Sequence, residues 1–172
     1  EAVENILEAC PDAYIIPRVN ISLPVWWEEE NPDELNIKDG IPCRESFYSQ
    51  KWRDDASQFL REFTQYANSC KYASHIVGYQ IAGGQTEEWF HFDMNGGYGE
   101  CAKESFKAFL EEYYPQVEYK GLPDLTLLDK KKNYFNDEYL TRYIEFANFK
   151  IAQAISHFAR IVKEETGNNV VV

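Results

Sequence analysis

The segment Gly83-Gly84-Gln85-Thr86-Glu87-Glu88-Trp89-Phe90 sets two adjacent carboxylates beside two aromatic rings. Neighbouring like charges resist joint ionisation, and apolar rings strip water from a carboxyl group. Both effects keep an acid protonated near neutral pH. Hydrolysis of a glycosidic bond needs such an acid to protonate the leaving oxygen. It also needs a second carboxylate, which attacks the anomeric carbon or activates water. Glu87 and Glu88 are the candidates for the acid. Successive side chains of an extended segment point opposite ways, so one of the pair is expected to face a substrate, Glu87 before Glu88. The plainer reading is an exposed acidic pair at the start of a loop.

Other residues fit around this pair. Trp26-Trp27 precede Glu28-Glu29-Glu30, and either ring could stack on a sugar or anchor a loop. Arg18 could bond a substrate or pair with a carboxylate. His91 and Asp93 lie near the acidic pair, but one His among scattered acids makes a poor metal set, and no metal or cofactor is expected. Gly83-Gly84 is too little for a phosphate-binding loop.

Composition narrows the classes. The chain has 172 residues, enough for one domain, and 44% of them are apolar. Aromatic residues reach 16%, which suits either sugar-binding surfaces or an aromatic core. The net charge of −12 opposes nucleic acid and anionic membranes but not a neutral sugar. Cysteines 10, 43, 70 and 101 are widely spaced, which suits free thiols. No apolar run is long enough to span a membrane.

The elements that must position the acids follow from periodicity. Residues 13–21 and 75–82 are short apolar runs of the kind buried on both faces of a parallel sheet. Pro17 is expected to disturb one ladder position. Helices are expected over 50–69, capped by Ser49, over 100–114, stopped by Pro115, and over 137–166, followed by Gly167. The inner face of the last is read as Leu140, Ile144, Ala147, Ile151, Ala154, Ile155, Phe158 and Val162. Residues 22–48, 85–99 and 116–135 read as irregular, and Val170–Val172 as the start of a third strand. The alternation predicts an α/β class with parallel strands and crossover helices, its long loops following strand C-termini. Three strands are about a third of a (β/α)8 barrel. The expectation is therefore a partial TIM barrel, with residues 1–172 as a single fragment of a catalytic domain.

Five stretches together resemble the glycoside hydrolase family 42 β-galactosidases, which are retaining (β/α)8-barrel enzymes. They are Leu23 to Leu35, Arg44 to Ala56, His75 to Ala82, Cys101 to Pro115 and Tyr139 to Lys163. The resemblance implies barrel strands three, four and the start of five. It implies an acid/base after strand four and a Glu nucleophile after strand seven, outside this chain. It places Arg44 at the entry into the next helix and makes it a candidate substrate ligand with Arg18, Trp26, Trp27, Trp89 and His91. The family's Asp-Asn-Glu at the end of strand four is replaced by Ala82-Gly83-Gly84-Gln85-Thr86-Glu87-Glu88, so Gln85 or Thr86 would stand for the sugar-binding Asn.

The implied partners are a carbohydrate substrate and the rest of the parent barrel, with the isolated piece inactive. The alternative is a non-catalytic carbohydrate-binding protein on a degenerate barrel.

Overall fold

A computed structural model describes residues 2–38, 40–90, 98–124 and 137–172. The elements in chain order are α1 (Ala2–Ala9), β1 (Arg18–Asn20), α2 (Val25–Glu30), β2 (Leu35–Lys38), β3 (Ile41–Glu45), α3 (Gln50–Ser69), β4 (Gln80–Ala82), α4 (Glu100–Tyr113) and α5 (Glu138–Glu165).

The expected parallel pairing forms, but in strands of three residues, much shorter than the apolar runs 13–21 and 75–82. β1 runs parallel to β4, with Arg18 opposite Gln80 and Asn20 opposite Ala82. A single parallel bridge from Ile15 to Ile76 continues this pair toward its N-terminal end, and one from Gly78 to Val171 adds a third segment beside it. Pro17 interrupts the ladder as its missing N–H requires, yet its carbonyl still accepts from the Gln80 amide at 3.0 Å. Gly78 lets the Val171 strand approach, because a Cβ there would lie 2.8 Å from the Val171 carbonyl oxygen.

Burial corrects one expectation. Val19 and Ile21 face the helices and are buried, whereas Tyr14, Ile16, Arg18 and Asn20 are exposed on the opposite face. The strand is thus covered on one face by α3 and α5.

The helices form where the periodicity placed them. The Ser49 hydroxyl accepts from the Trp52 amide at 2.9 Å and caps α3. The Asp137 carboxylate accepts from the Leu140 amide at 3.1 Å and caps α5. Gly167, at φ +59°, ends α5 together with an Asn168 amide bond to the Lys163 carbonyl of 2.9 Å. The inner face of α5 is rotated slightly from expectation. Tyr143, Phe146 and Ile161 are buried, while Ile155 is 41% exposed, because the helix serves two cores in succession.

Residues 22–48 are not structureless. They hold α2, a short 3-10 turn at Pro32–Glu34 and the antiparallel hairpin β2–β3. Two cores result. One packs Val19, Ile21, Trp27, Phe47, Trp52 and Phe158 between the parallel strands, α3 and the second half of α5. The other packs Tyr48, Phe106, Phe109, Tyr143 and Phe146 between α4 and the first half of α5. Phe106 alone meets the rings of Tyr119, Tyr139, Tyr143 and Phe146 at 5.0–6.3 Å. Much of the aromatic excess is therefore core.

Candidate functional site

β4 ends at Ala82, and the chain folds back at once over the strand end. Three backbone bonds close the turn: Trp89 amide to Gly83 carbonyl (2.8 Å), Gln85 amide to Phe90 carbonyl (2.9 Å) and Glu87 amide to Gly84 carbonyl (3.1 Å). Thr86, Glu87 and Trp89 all sit in the left-handed region, at φ 58°, 60° and 64°. Each such residue costs of order 1 kcal/mol or more, and persists only where the surroundings over-determine it. Trp89 does that here. Its indole N–H donates to the Ile81 carbonyl at 3.1 Å, and its ring lies 5.9 Å from Phe47 and 6.2 Å from Phe158. The segment is thus a tight turn rather than the extended run expected. Trp89 faces the core rather than the carboxylates, because its large apolar ring gains more from burial there.

The turn places Glu87 above β1. Asn20 Nδ2 donates to Glu87 Oε1 at 3.0 Å, and Arg18 Nε lies 3.3 Å from Oε2. Arg18 Nη2 also donates to the Glu87 main-chain carbonyl at 2.9 Å. Asn20 is itself oriented, since its Oδ1 accepts from the Ser22 amide at 2.9 Å. The side chains of Arg18 and Glu87 are 42% and 45% exposed, so the pair adds well under about 1 kcal/mol to stability. Its consequence is geometric. Both carboxylate oxygens are aimed, and each keeps a second lone-pair direction for another partner. The dry apolar wall expected around this acid is absent.

Glu88 points away, with the Thr86 hydroxyl 3.4 Å from its Oε2. That hydroxyl donates to the Gln85 carbonyl at 2.6 Å, so Thr86 is turned into its own loop. The amide beside the acid comes from Asn20, on the neighbouring strand. Sequence reading missed Asn20 because nothing local links it to Glu87.

A second missed residue is Glu45. It is fully buried, and neither carboxylate oxygen has a hydrogen-bond partner of good geometry. Burial pushes its carboxyl above the ordinary range, and the neighbouring Glu28 adds to this. Ser22 and Arg44 beside it pull the other way. Arg44, at φ 51°, stands between Glu28 at 3.1 Å and Glu45 at 3.7 Å. Ser22 thus adjoins both the buried carboxyl and the Asn20 amide that holds Glu87.

The remaining candidates separate. Trp27 is 3% exposed, and its indole donates to Asp55 Oδ2 at 2.6 Å, which closes its ring inside the core. Trp26 is 59% exposed and borders a groove of about 640 Å³ with Phe59, Asp55 and Glu62. His91 lies outside the described residues, as does Asp93. Among the described residues no group of three metal-ligating side chains occurs, and no helix is long and apolar enough to cross a membrane.

No protein-family model matches the chain, and no curated protein matches it in sequence. Solved structures do. The chain superposes on a β-galactosidase from the psychrophilic Marinomonas ef1 with a TM-score of 0.68 and 12% identity, over 99% of this chain and 29% of that one. The β-galactosidase of Rahnella sp. R3 gives 0.65 and 13%, over 99% and 27%. That of Bacillus circulans sp. alkalophilus gives 0.61 and 15%, over 99% and 28%. At these identities the likeness establishes a shared mixed α/β fold. The chain spans between 27% and 29% of the length of these enzymes.

Proposed function

We propose that this chain forms the acid/base wall of a glycoside hydrolase built on a (β/α)8 barrel, with Glu87 as the acid/base. The observation that carries the reading is the clamp on Glu87. A carboxylate just past the end of one parallel strand is aimed by Arg18 and Asn20 from the next. Parallel α/β folds put their chemistry at that edge. The exposed face bearing Tyr14, Ile16, Arg18 and Asn20 corresponds to a barrel interior in this reading. The fold shared with β-galactosidases supports a glycosidic substrate.

In this mechanism Glu87 protonates the glycosidic oxygen as the bond breaks. It then takes a proton from the water that releases the sugar, as a retaining enzyme requires. Arg18 and Asn20 hold the carboxyl in place, and Arg44 and Trp26 are the further candidates for substrate contact. The second carboxylate of such a mechanism, about 5 Å away, belongs to sequence outside this chain.

The test is Glu87→Gln in the polypeptide that carries this chain. Turnover of an aryl glycoside should fall about 10²- to 10⁴-fold, and azide or formate should restore part of it. Full activity in Glu87→Gln with none in Glu88→Gln would move the role to Glu88. The exposure of Glu87 favours a second reading, a carbohydrate-binding protein without turnover. Sugar binding with no hydrolysis by the unaltered protein would establish that one instead.

A further inference from the structure

The helical layer carries a cationic groove that the proposed chemistry does not use. It runs between α3 and α5, has a volume of about 420 Å³, and is lined by Arg53, Phe149, Gln153, Ser156, His157 and Arg160. Both walls belong to helices fastened to each other within the chain. Ser57 Oγ lies 2.8 Å from His157 Nε2, and Arg61 reaches Glu165 at 2.7 Å and Glu164 at 3.0 Å. The groove's lining side chains thus come from two helices of this chain that are tied to each other.

Its charge is unusual for a chain of net charge −12. The buried Nε of Arg53 has no hydrogen-bond partner among the described residues. Lys150 stands near enough for Arg53 to disfavour its charged form, after the larger effect of burial. Among the described residues the ion pairing of Arg160 is loose, 3.9 Å to Glu164, and Glu164 is shared with Arg61. The other acids in reach are Asp54, which faces Arg53 and His157, and Glu112, which faces Lys150.

His157 completes the set. Ser57 donates its hydroxyl to the Arg53 carbonyl, so it accepts from His157 Nε2. His157 Nδ1 is then an acceptor, and Arg160 Nη2 lies 3.4 Å from it. A buried Arg N–H without an acceptor is costly, and an anion would supply one.

We propose that this groove binds a phosphoryl oxyanion, with Arg53 and Arg160 as its ligands and His157 at its edge. The source is either free phosphate or the phosphoryl group of a small metabolite, and the volume admits both. The site lies on the helical layer, apart from the Glu87 turn, and does not depend on the glycosidase reading.

The test is a titration of the full chain with inorganic phosphate at constant ionic strength, following the His157 ring by NMR. A saturable shift is expected. The titration midpoint of His157, held below its usual range by burial and by Arg53, Arg160 and Arg61, should rise as the anion offsets those cations. Arg160→Ala changes an exposed side chain and should weaken phosphate binding about fivefold, and Arg53→Gln at least as much. Lys107→Ala on α4 should leave it unchanged. A hexose monophosphate binding more tightly than phosphate would identify a phosphorylated metabolite as the source, and equal affinity would identify phosphate itself. A response that chloride reproduces, that never saturates, or that Arg160→Ala leaves intact would overturn the proposal.

Discussion

Glu87 and Glu45 show how differently two carboxylates fare around the segment Asn20–Ser22. Glu87 is exposed and held by Arg18 and Asn20, whereas Glu45 is fully buried beside Arg44 and Ser22. Burial raises the folded-state pKa of Glu45 above its ordinary value of 4.5. The native state therefore holds that proton more tightly than the unfolded chain does. Stability falls as pH rises from about 4.5 through the folded-state pKa, and the penalty is complete above it. Glu45→Gln removes the charge and keeps the shape. Urea melts at pH 8 should show the variant more stable by of order 1 kcal/mol, with the gain vanishing below about pH 4.5. A variant less stable at pH 8 would show that Arg44 and Ser22 outweigh burial. The acidic pair was legible in the sequence, since its neighbours and its place after an apolar run are local features. Asn20 and Glu45 were not, because their significance rests on what folds against them.

At the scale of elements, the segments with clean periodicity form as expected: α3, α4 and α5, with Ser49 capping the first. The segment read as a loop at 22–48 hides a hairpin whose signal is present in Lys38-Asp39-Gly40-Ile41. Asp-Gly between alternating apolar residues is a strong hairpin cue. Three nearby prolines and the brevity of the strands mask it. The Glu87 turn is decided by glycine. Gly84 sits at φ +75°, and a Cβ there would meet the Phe90 carbonyl oxygen at 2.4 Å and the Phe47 ring at 2.7 Å. Gly40 has a similar φ of +77° with nothing within 4 Å. Gly40→Ala should therefore cost about 1 kcal/mol from backbone strain alone, while Gly84→Ala should cost about 3 kcal/mol or more. Thermal melts of the two variants check this, and equal losses would show that the turn can open to admit a Cβ.

Over the whole molecule, α5 ties the structure together by serving both cores. Phe158 anchors the second half of α5 in the first core, with ring contacts to Trp52 at 5.4 Å and Trp89 at 6.2 Å. Phe158→Ala should cost about 3–5 kcal/mol. It should also speed amide exchange in the 83–90 turn, since Trp89 loses its seat; unchanged exchange there would show that Phe47 alone holds the loop. Readable from the chain alone were the three long helices, the Ser49 cap, the pairing of two parallel segments and the address of the acidic pair. They follow from a period of 3.6, from short apolar runs and from residue types at element ends. Which acid is clamped and which is buried depends on the folded arrangement. It alone turned Trp89 inward and put an amide from β1 beside Glu87. Arg18 and Glu87 are 69 residues apart, and pairings over that distance are set by how the strands align, which no local pattern encodes.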